Sequence, residues 1–155
     1  MNRNDSFYCT NKMSVTLESM IEKIDTFDEF ERRFSDDFLN DDCHIVDYLS
    51  MLMTKYDKRD SVVSQKAGLH DSYVGNIIRG VRKNPSRNAV IAICLSIGTT
   101  VEEVQYLLKY AGQAPLYVRR KRDVLIWFGF MKHYTANEVD HELEIRGMER
   151  LMKDA

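Results

Sequence analysis

Proline and glycine are scarce, at 2 and 7 of 155 residues. That excludes collagen-like and low-complexity chains and counts against an all-β sandwich, whose many turns draw on both residue types. Cysteine is scarce too: Cys9, Cys43 and Cys94 are odd in number and far apart. Neither a disulfide framework nor a C-x-x-C metal site is expected, and a reducing compartment is. Long apolar runs are also missing. The longest, residues 124–131, is eight residues between Asp123 and Lys132, whereas a membrane-spanning helix needs about twenty. The opening MNRNDSFYCTNKMSV has no continuous apolar stretch of the secretory kind, so the expected location is the cytoplasm, with no membrane partner. A strong net charge is lacking as well, because 22 basic against 24 acidic side chains give −2.

What is present suits one substantial core. With 44% hydrophobic and 30% charged residues, the composition predicts a soluble all-α protein. The charges are unevenly placed. Residues 1–44 carry 5 basic and 11 acidic side chains, residues 45–116 carry 9 and 6, and residues 117–155 carry 8 and 7. In the middle stretch Arg79, Arg82, Lys83 and Arg87 fall inside nine residues with no acid between them, a positive field that a phosphate backbone would feel.

The apolar spacing reads as a series of helices. Over residues 26–39, Phe27, Phe30, Phe34 and Phe38 recur at spacings of three, four and four, one face of a helix capped by Asp25 or Thr26. Its other face is acidic (Asp28, Glu29, Glu31, Asp36, Asp37), so the Phe stripe packs on the body of the protein or docks on a partner. Ile45, Tyr48, Leu49, Leu52, Met53 and Tyr56 form the next stripe, ending near Asp57. Asp60 or Ser61 then caps a short helix over 62–67 closed by Gly68, and Asp71 or Ser72 opens a second that runs to Ile78 and stops at Gly80. Pro85 and Ser86 introduce a helix over 87–97 ended by Gly98, and Thr100 caps one over 101–111 ended by Gly112.

The tail repeats what precedes it. At an offset of 35, Arg87, Ile91, Thr100, Glu103, Val104, Leu108, Gly112 and Leu116 match Arg122, Ile126, Thr135, Glu138, Val139, Leu143, Gly147 and Leu151. Identities concentrated at caps and core positions indicate a duplicated helical hairpin. Two further helices are therefore expected, over 123–132 and 136–145, packed on the first hairpin because two copies are too few for an open solenoid.

The informative stretch is DSVVSQKAGLHDSYVGNIIRG, residues 60–80. Val63 and Ala67 face inward from its first helix, Gly68 permits a sharp turn, Leu69 plugs the corner, and Val74 and Ile77 hold the second helix to the core. Ser64 sits where close helix approach wants a small side chain, and its hydroxyl can bond back to the preceding turn. Together with the following VRKNPSRNAVIAICLSIG, this stretch resembles the phage-repressor (Cro and xenobiotic-response-element type) helix-turn-helix over residues 45–111. The continuation YAGQAPLYVRRKRDVLIWFGF is similar to a subgroup of bacterial regulators with a helical-hairpin extension.

The resemblance implies a five-helix DNA-binding domain over 45–116, a C-terminal hairpin over 117–155 on the same core, and an N-terminal arm over 1–44 with an acidic amphipathic helix. It implies a transcriptional regulator, expected to be a repressor, that binds double-stranded DNA as a homodimer and reads the major groove with helix 71–79. Carried over by position, Asp71, Ser72 and Asn76 face the bases with Tyr73 at the rim. Asn76 suits adenine, and Asp71 suits capping its own helix better than contacting cytosine. Gln65, Lys66, Arg79, Arg82, Lys83 and Arg87 would contact phosphates, with Gln65 alternatively bracing the reading helix.

A second reading stays open: a repressor-like scaffold acting as a protein-interaction module (adaptor, inhibitor or antitoxin-like) through the N-terminal helix or the C-terminal hairpin. It draws on Asp71 and the acidic front, which repel phosphates. Gly75 costs the reading helix about 1 kcal/mol against Ala and would let the backbone of DNA or of another protein chain approach closely. The run Arg119-Arg120-Lys121-Arg122 reads as a solvated turn between hairpins. Trp127, Phe128 and Phe130 read as core or a dimer seam. His44, His70, His133 and His141 form no metal set, no nucleotide-binding or hydrolase motif is found, and neither cofactor nor catalysis is expected.

Overall fold

A computed structural model describes residues 14–38 and 44–152. Cys9, Cys43 and the Leu39 end of the expected Phe helix lie outside the described residues. Within them the secondary structure is entirely helical: α1 (Ser14–Lys23), α2 (Phe27–Phe34), α3 (Ile45–Lys55), α4 (Asp60–Lys66), α5 (Tyr73–Ile78), α6 (Arg87–Ile97), α7 (Val101–Tyr110), α8 (Lys121–Met131) and α9 (Ala136–Ile145). The chain divides into two compact units, residues 1–42 and 43–155.

In the first unit, α1 is a helix that is not among those expected above. α2 starts where expected, with the Thr26 hydroxyl accepting from the Glu29 amide at 3.2 Å. It is shorter than the predicted 26–39, giving way at Ser35–Asp37 to a 3-10 turn. Ser and Asp side chains compete for nearby backbone groups and weaken a helix interior. The aromatic stripe survives this change of pitch: the Phe30 ring lies 4.8 Å from Phe34 and 6.0 Å from Phe38. Phe34 is buried, whereas Phe27 is exposed.

The second unit is built around α6. Its sequence, RNAVIAICLSI, is apolar on nearly every face, as a helix surrounded by others must be, and all but a few of its side chains are buried. α4, α7 and α9 pack on it, while α3 packs on α5 and α7. Tyr48 of α3 sits against Tyr106 and Tyr110 of α7 with ring centroids 6.0 and 5.4 Å away. The α3–α7 contact is closed by Glu103, which accepts from Lys55 Nζ at 2.9 Å, from the Tyr56 hydroxyl and from the Thr100 amide at 3.0 Å. Burial pushes the Glu103 carboxyl up, but the Thr100, Tyr56 and Lys55 donors outweigh it and hold the group below the ordinary carboxylate range.

The two hairpins, α6–α7 and α8–α9, repeat each other in bond-level detail. Thr100 and Thr135 accept from the amides of Glu103 and Glu138, whose carboxylates accept in return from the cap amides. The Leu116 amide donates to Gln105 Oε1 at 2.7 Å and the Leu151 amide to Asp140 Oδ1 at 2.8 Å. Gln105 and Asp140 are thus equivalent positions without being identical residues. Arg87 Nε donates to the Ala114 carbonyl and Arg122 Nε to the Glu149 carbonyl, both at 2.9 Å.

Across the hairpins the exchange is reciprocal. Arg87 grips Asp123 with bonds of 3.2 and 3.0 Å, while Arg122 reaches Asn88 at 2.7 Å, and Asn88 is the counterpart of Asp123 at the offset of 35. Contact of i with j and of j with i is what a twofold relation produces, so the repeats face one another as a pseudo-dimer. Within the second hairpin α8 lies close against α9: a Cβ at Gly129 would be 2.5 Å from Val139 Cγ2.

Candidate nucleic-acid interface

α4 and α5 are joined at Gly68, whose φ of +70° and contact with the chain's end leave no room for a side chain. A Cβ there would lie 2.8 Å from Met152 Sδ. Val63, Ala67, Val74 and Ile77 are all buried between the two helices and the core, and Leu69 is half-buried at the corner. Ser64 does more than stay small. Its buried hydroxyl donates to the Asp60 carbonyl at 2.8 Å and accepts from the Val74 amide at 3.1 Å, tying the first turn of α5 to α4.

The start of α5 departs from expectation. The helix runs Tyr73–Ile78, so Asp71 and Ser72 lie in the turn before it, and the Ser72 side chain makes no cap bond to the helix amides. Asp71 is exposed in that turn. His70 takes the local role instead: its Nδ1 accepts from the Ser72 amide at 3.2 Å and lies 2.8 Å from Ser72 Oγ. Accepting at Nδ1 leaves Nε2 to carry the proton of the neutral ring.

Beyond Ser72, a polar row continues along α5 at helical spacing. Asn76 Nδ2 lies 3.5 Å from Ser72 Oγ, and Asn76 Oδ1 accepts from Arg79 at 2.6 Å. A second row carries Tyr73, with the Arg82 guanidinium 4.2 Å from its ring centroid, a cation–π contact. Ser72, Tyr73 and Asn76 are half-buried, whereas Gln65, Lys66, Arg79, Arg82 and Lys83 are exposed. Gly75 lies beside this row: a Cβ there would meet Arg79 Nη1 at 3.2 Å and Asp60 Oδ2 at 3.6 Å, so its bare flank is taken by its own chain.

The structure puts Arg87 to a different use from the expected phosphate contact. Its guanidinium is engaged by Asp123 and by the carbonyls of Ala114 and Pro115, three partners from the link and second hairpin that leave it turned inward. Arg122 leaves the basic run Arg119–Lys121 in the same way, and burial holds its guanidinium below the ordinary arginine range. Of the cations expected to contact phosphates, those left exposed are therefore Lys66, Arg79, Arg82 and Lys83. Sequence reasoning missed the His70–Ser72 contact and the exposed Val81 that follows α5. The apolar residue inside a basic run was the available signal for Val81.

The run at residues 124–131 is divided between core and surface. Ile126 and Phe130 are buried, Trp127 is half-buried, and Phe128 and Met131 are 53% and 56% exposed. Among the described residues no group of His, Cys, Asp and Glu is placed to hold a metal ion, and no helix is long and apolar enough to cross a membrane. Comparison with protein-family models, curated protein sequences and solved structures gives no match.

Proposed function

We propose that this protein is a sequence-specific DNA-binding transcriptional regulator of the cytoplasm, a repressor acting as a homodimer, with α4–Gly68–α5 as its helix-turn-helix. The carrying observation is the Ser64 lock. A buried hydroxyl bonded to both helices fixes α5 against α4, while the polar row Ser72, Asn76 and Arg79 stays accessible and Arg82 and Lys83 follow it. An α-helix with its side chains is about 10–12 Å across, which suits entry of α5 into a major groove about 12 Å wide. The polar row Ser72, Asn76 and Arg79 faces the bases, with Tyr73 at its rim and Asp71 at the margin. Lys66, Arg82 and Lys83 set affinity through phosphates, and Gln65 stands beside them on α4.

The test is the salt dependence of binding to duplex DNA. Affinity for a randomised duplex pool falls linearly on a log–log plot against salt, and Arg82→Ala flattens the slope by about 0.9. A chain that leaves duplex DNA unbound at about 50 mM salt, where counterion release favours binding, overturns the proposal.

A second reading, a protein-interaction module built on the same scaffold, is favoured by the exposed Phe128 and Met131 on α8. Exposed apolar residues at helical spacing suit a docking surface. Phe128→Glu would then abolish partner capture while leaving any DNA affinity untouched.

A further inference from the structure

We infer, resting on the DNA-binding reading above, that Arg79 is the base-reading group of α5 and selects guanine, with Asn76 and Gly75 positioning it. Asparagine reads adenine by accepting from N6 through Oδ1 while donating to N7 through Nδ2. In this protein both ends of the Asn76 amide point along the helix: Oδ1 holds Arg79 at 2.6 Å, and Nδ2 lies 3.5 Å from Ser72 Oγ. An adenine amino group approaching Oδ1 would meet a guanidinium already there. The pair instead presents an excess of donors, because arginine has five N–H groups and no acceptor and Asn76 engages one of them. Guanine offers two acceptors, N7 and O6, on its major-groove edge.

Two further observations single out Arg79 among the exposed cations. Ser72, Asn76 and Arg79 lie on one helical row, spaced four and three apart, whereas Arg82 follows the helix and is stacked on Tyr73. Gly75 supplies the space: Arg79 Nη1 lies where a Cβ at residue 75 would be only 3.2 Å away. The glycine that weakens α5 is thus the residue that lets the guanidinium fold back to Asn76.

Selection from a randomised duplex pool with the full chain tests this. The parent enriches a motif with a constant G, and Arg79→Lys, which removes the planar fork, weakens the preference for that G about tenfold. Asn76→Asp keeps it, since a carboxylate still accepts from Arg79, while Asn76→Ala and Gly75→Ala each weaken it several-fold. Arg82→Ala lowers affinity for every duplex alike. A constant A that both Asn76 variants lose and Arg79→Lys keeps makes Asn76 the reader and overturns the inference. So does a G preference that Arg79→Lys leaves intact. A parent that enriches no motif overturns the DNA-binding reading itself, a result distinct from the other two.

Discussion

The hairpins α6–α7 and α8–α9 share a threonine cap on the second helix, a left-handed glycine after it (Gly112 and Gly147) and an arginine that reaches across to the other hairpin, yet they end in different environments. Ile93 of α6 is buried and Thr99 after it is buried; their counterparts at the offset of 35, Phe128 and Tyr134, are 53% and 41% exposed. α6 has α4 packed on it in addition to the second hairpin. A helix face therefore becomes core because something covers it, and an apolar residue alone does not make it so. The grips differ as well: Arg87 meets a charged, buried Asp123, while Arg122 meets the neutral amide of Asn88.

The largest expected effect breaks the charged grip. Arg87→Ala leaves Asp123 buried without its cation and costs about 3–5 kcal/mol, whereas Arg122→Ala, which removes bonds to neutral groups, costs about 1–3 kcal/mol. Urea midpoints measure both, and equal losses would mean that the charge of Asp123 is immaterial. Next comes the difference in cover. Ile93→Ala costs about 2–5 kcal/mol, against about 0.5 kcal/mol for Phe128→Ala, although Phe128 is the larger side chain.

Acid sharpens the comparison, because Glu103 is embedded in the α3–α7 contact and its counterpart Glu138 is exposed. The Glu103 carboxyl is held below the ordinary range, so its stabilisation is complete above the unfolded value, about 4.3 for glutamate, and is lost as pH falls through the folded value. Thermal melts between pH 5 and pH 2 should therefore flatten for Glu103→Gln. Modest effects are expected at the caps. Thr100→Ala and Thr135→Ala each cost about 1 kcal/mol, and a much larger loss at Thr100 would show that the cap and the Glu103 cluster act as one unit.

Local signals in the sequence carried much of the fold. Ser86, Thr100 and Thr135 cap the helices they were expected to cap, and α9 spans Ala136–Ile145 as read from the repeat. Ser64 was legible as a small, back-bonding residue, but its second bond, to the Val74 amide, was not. α5 was placed correctly and given too much length, because Asp71 and Ser72 look like caps while the His70 ring takes the Ser72 amide. α1 also carried a signal, since Leu17, Met20, Ile21 and Ile24 recur at the i, i+3, i+4, i+7 spacing of one helix face, although it was not among the expected helices. The repeat was visible as identities, but the equivalence of Gln105 with Asp140 and of Asn88 with Asp123 was hidden, since those pairs conserve a bonding role and not a residue type.

By itself the sequence determined the class of structure, the stops and starts of most helices and the duplication. A cap hydroxyl, a left-handed glycine or an apolar stripe acts within a turn or two of chain, where spacing is geometry. The tertiary structure alone decided which cations remain free and which apolar faces are covered. Arg87 finds its partners 27 to 36 residues away, and Phe128 is exposed because, among the described residues, no helix does for α8 what α4 does for α6. Ion pairing and burial depend on the neighbours that folding brings up, and no spacing rule along one chain contains them.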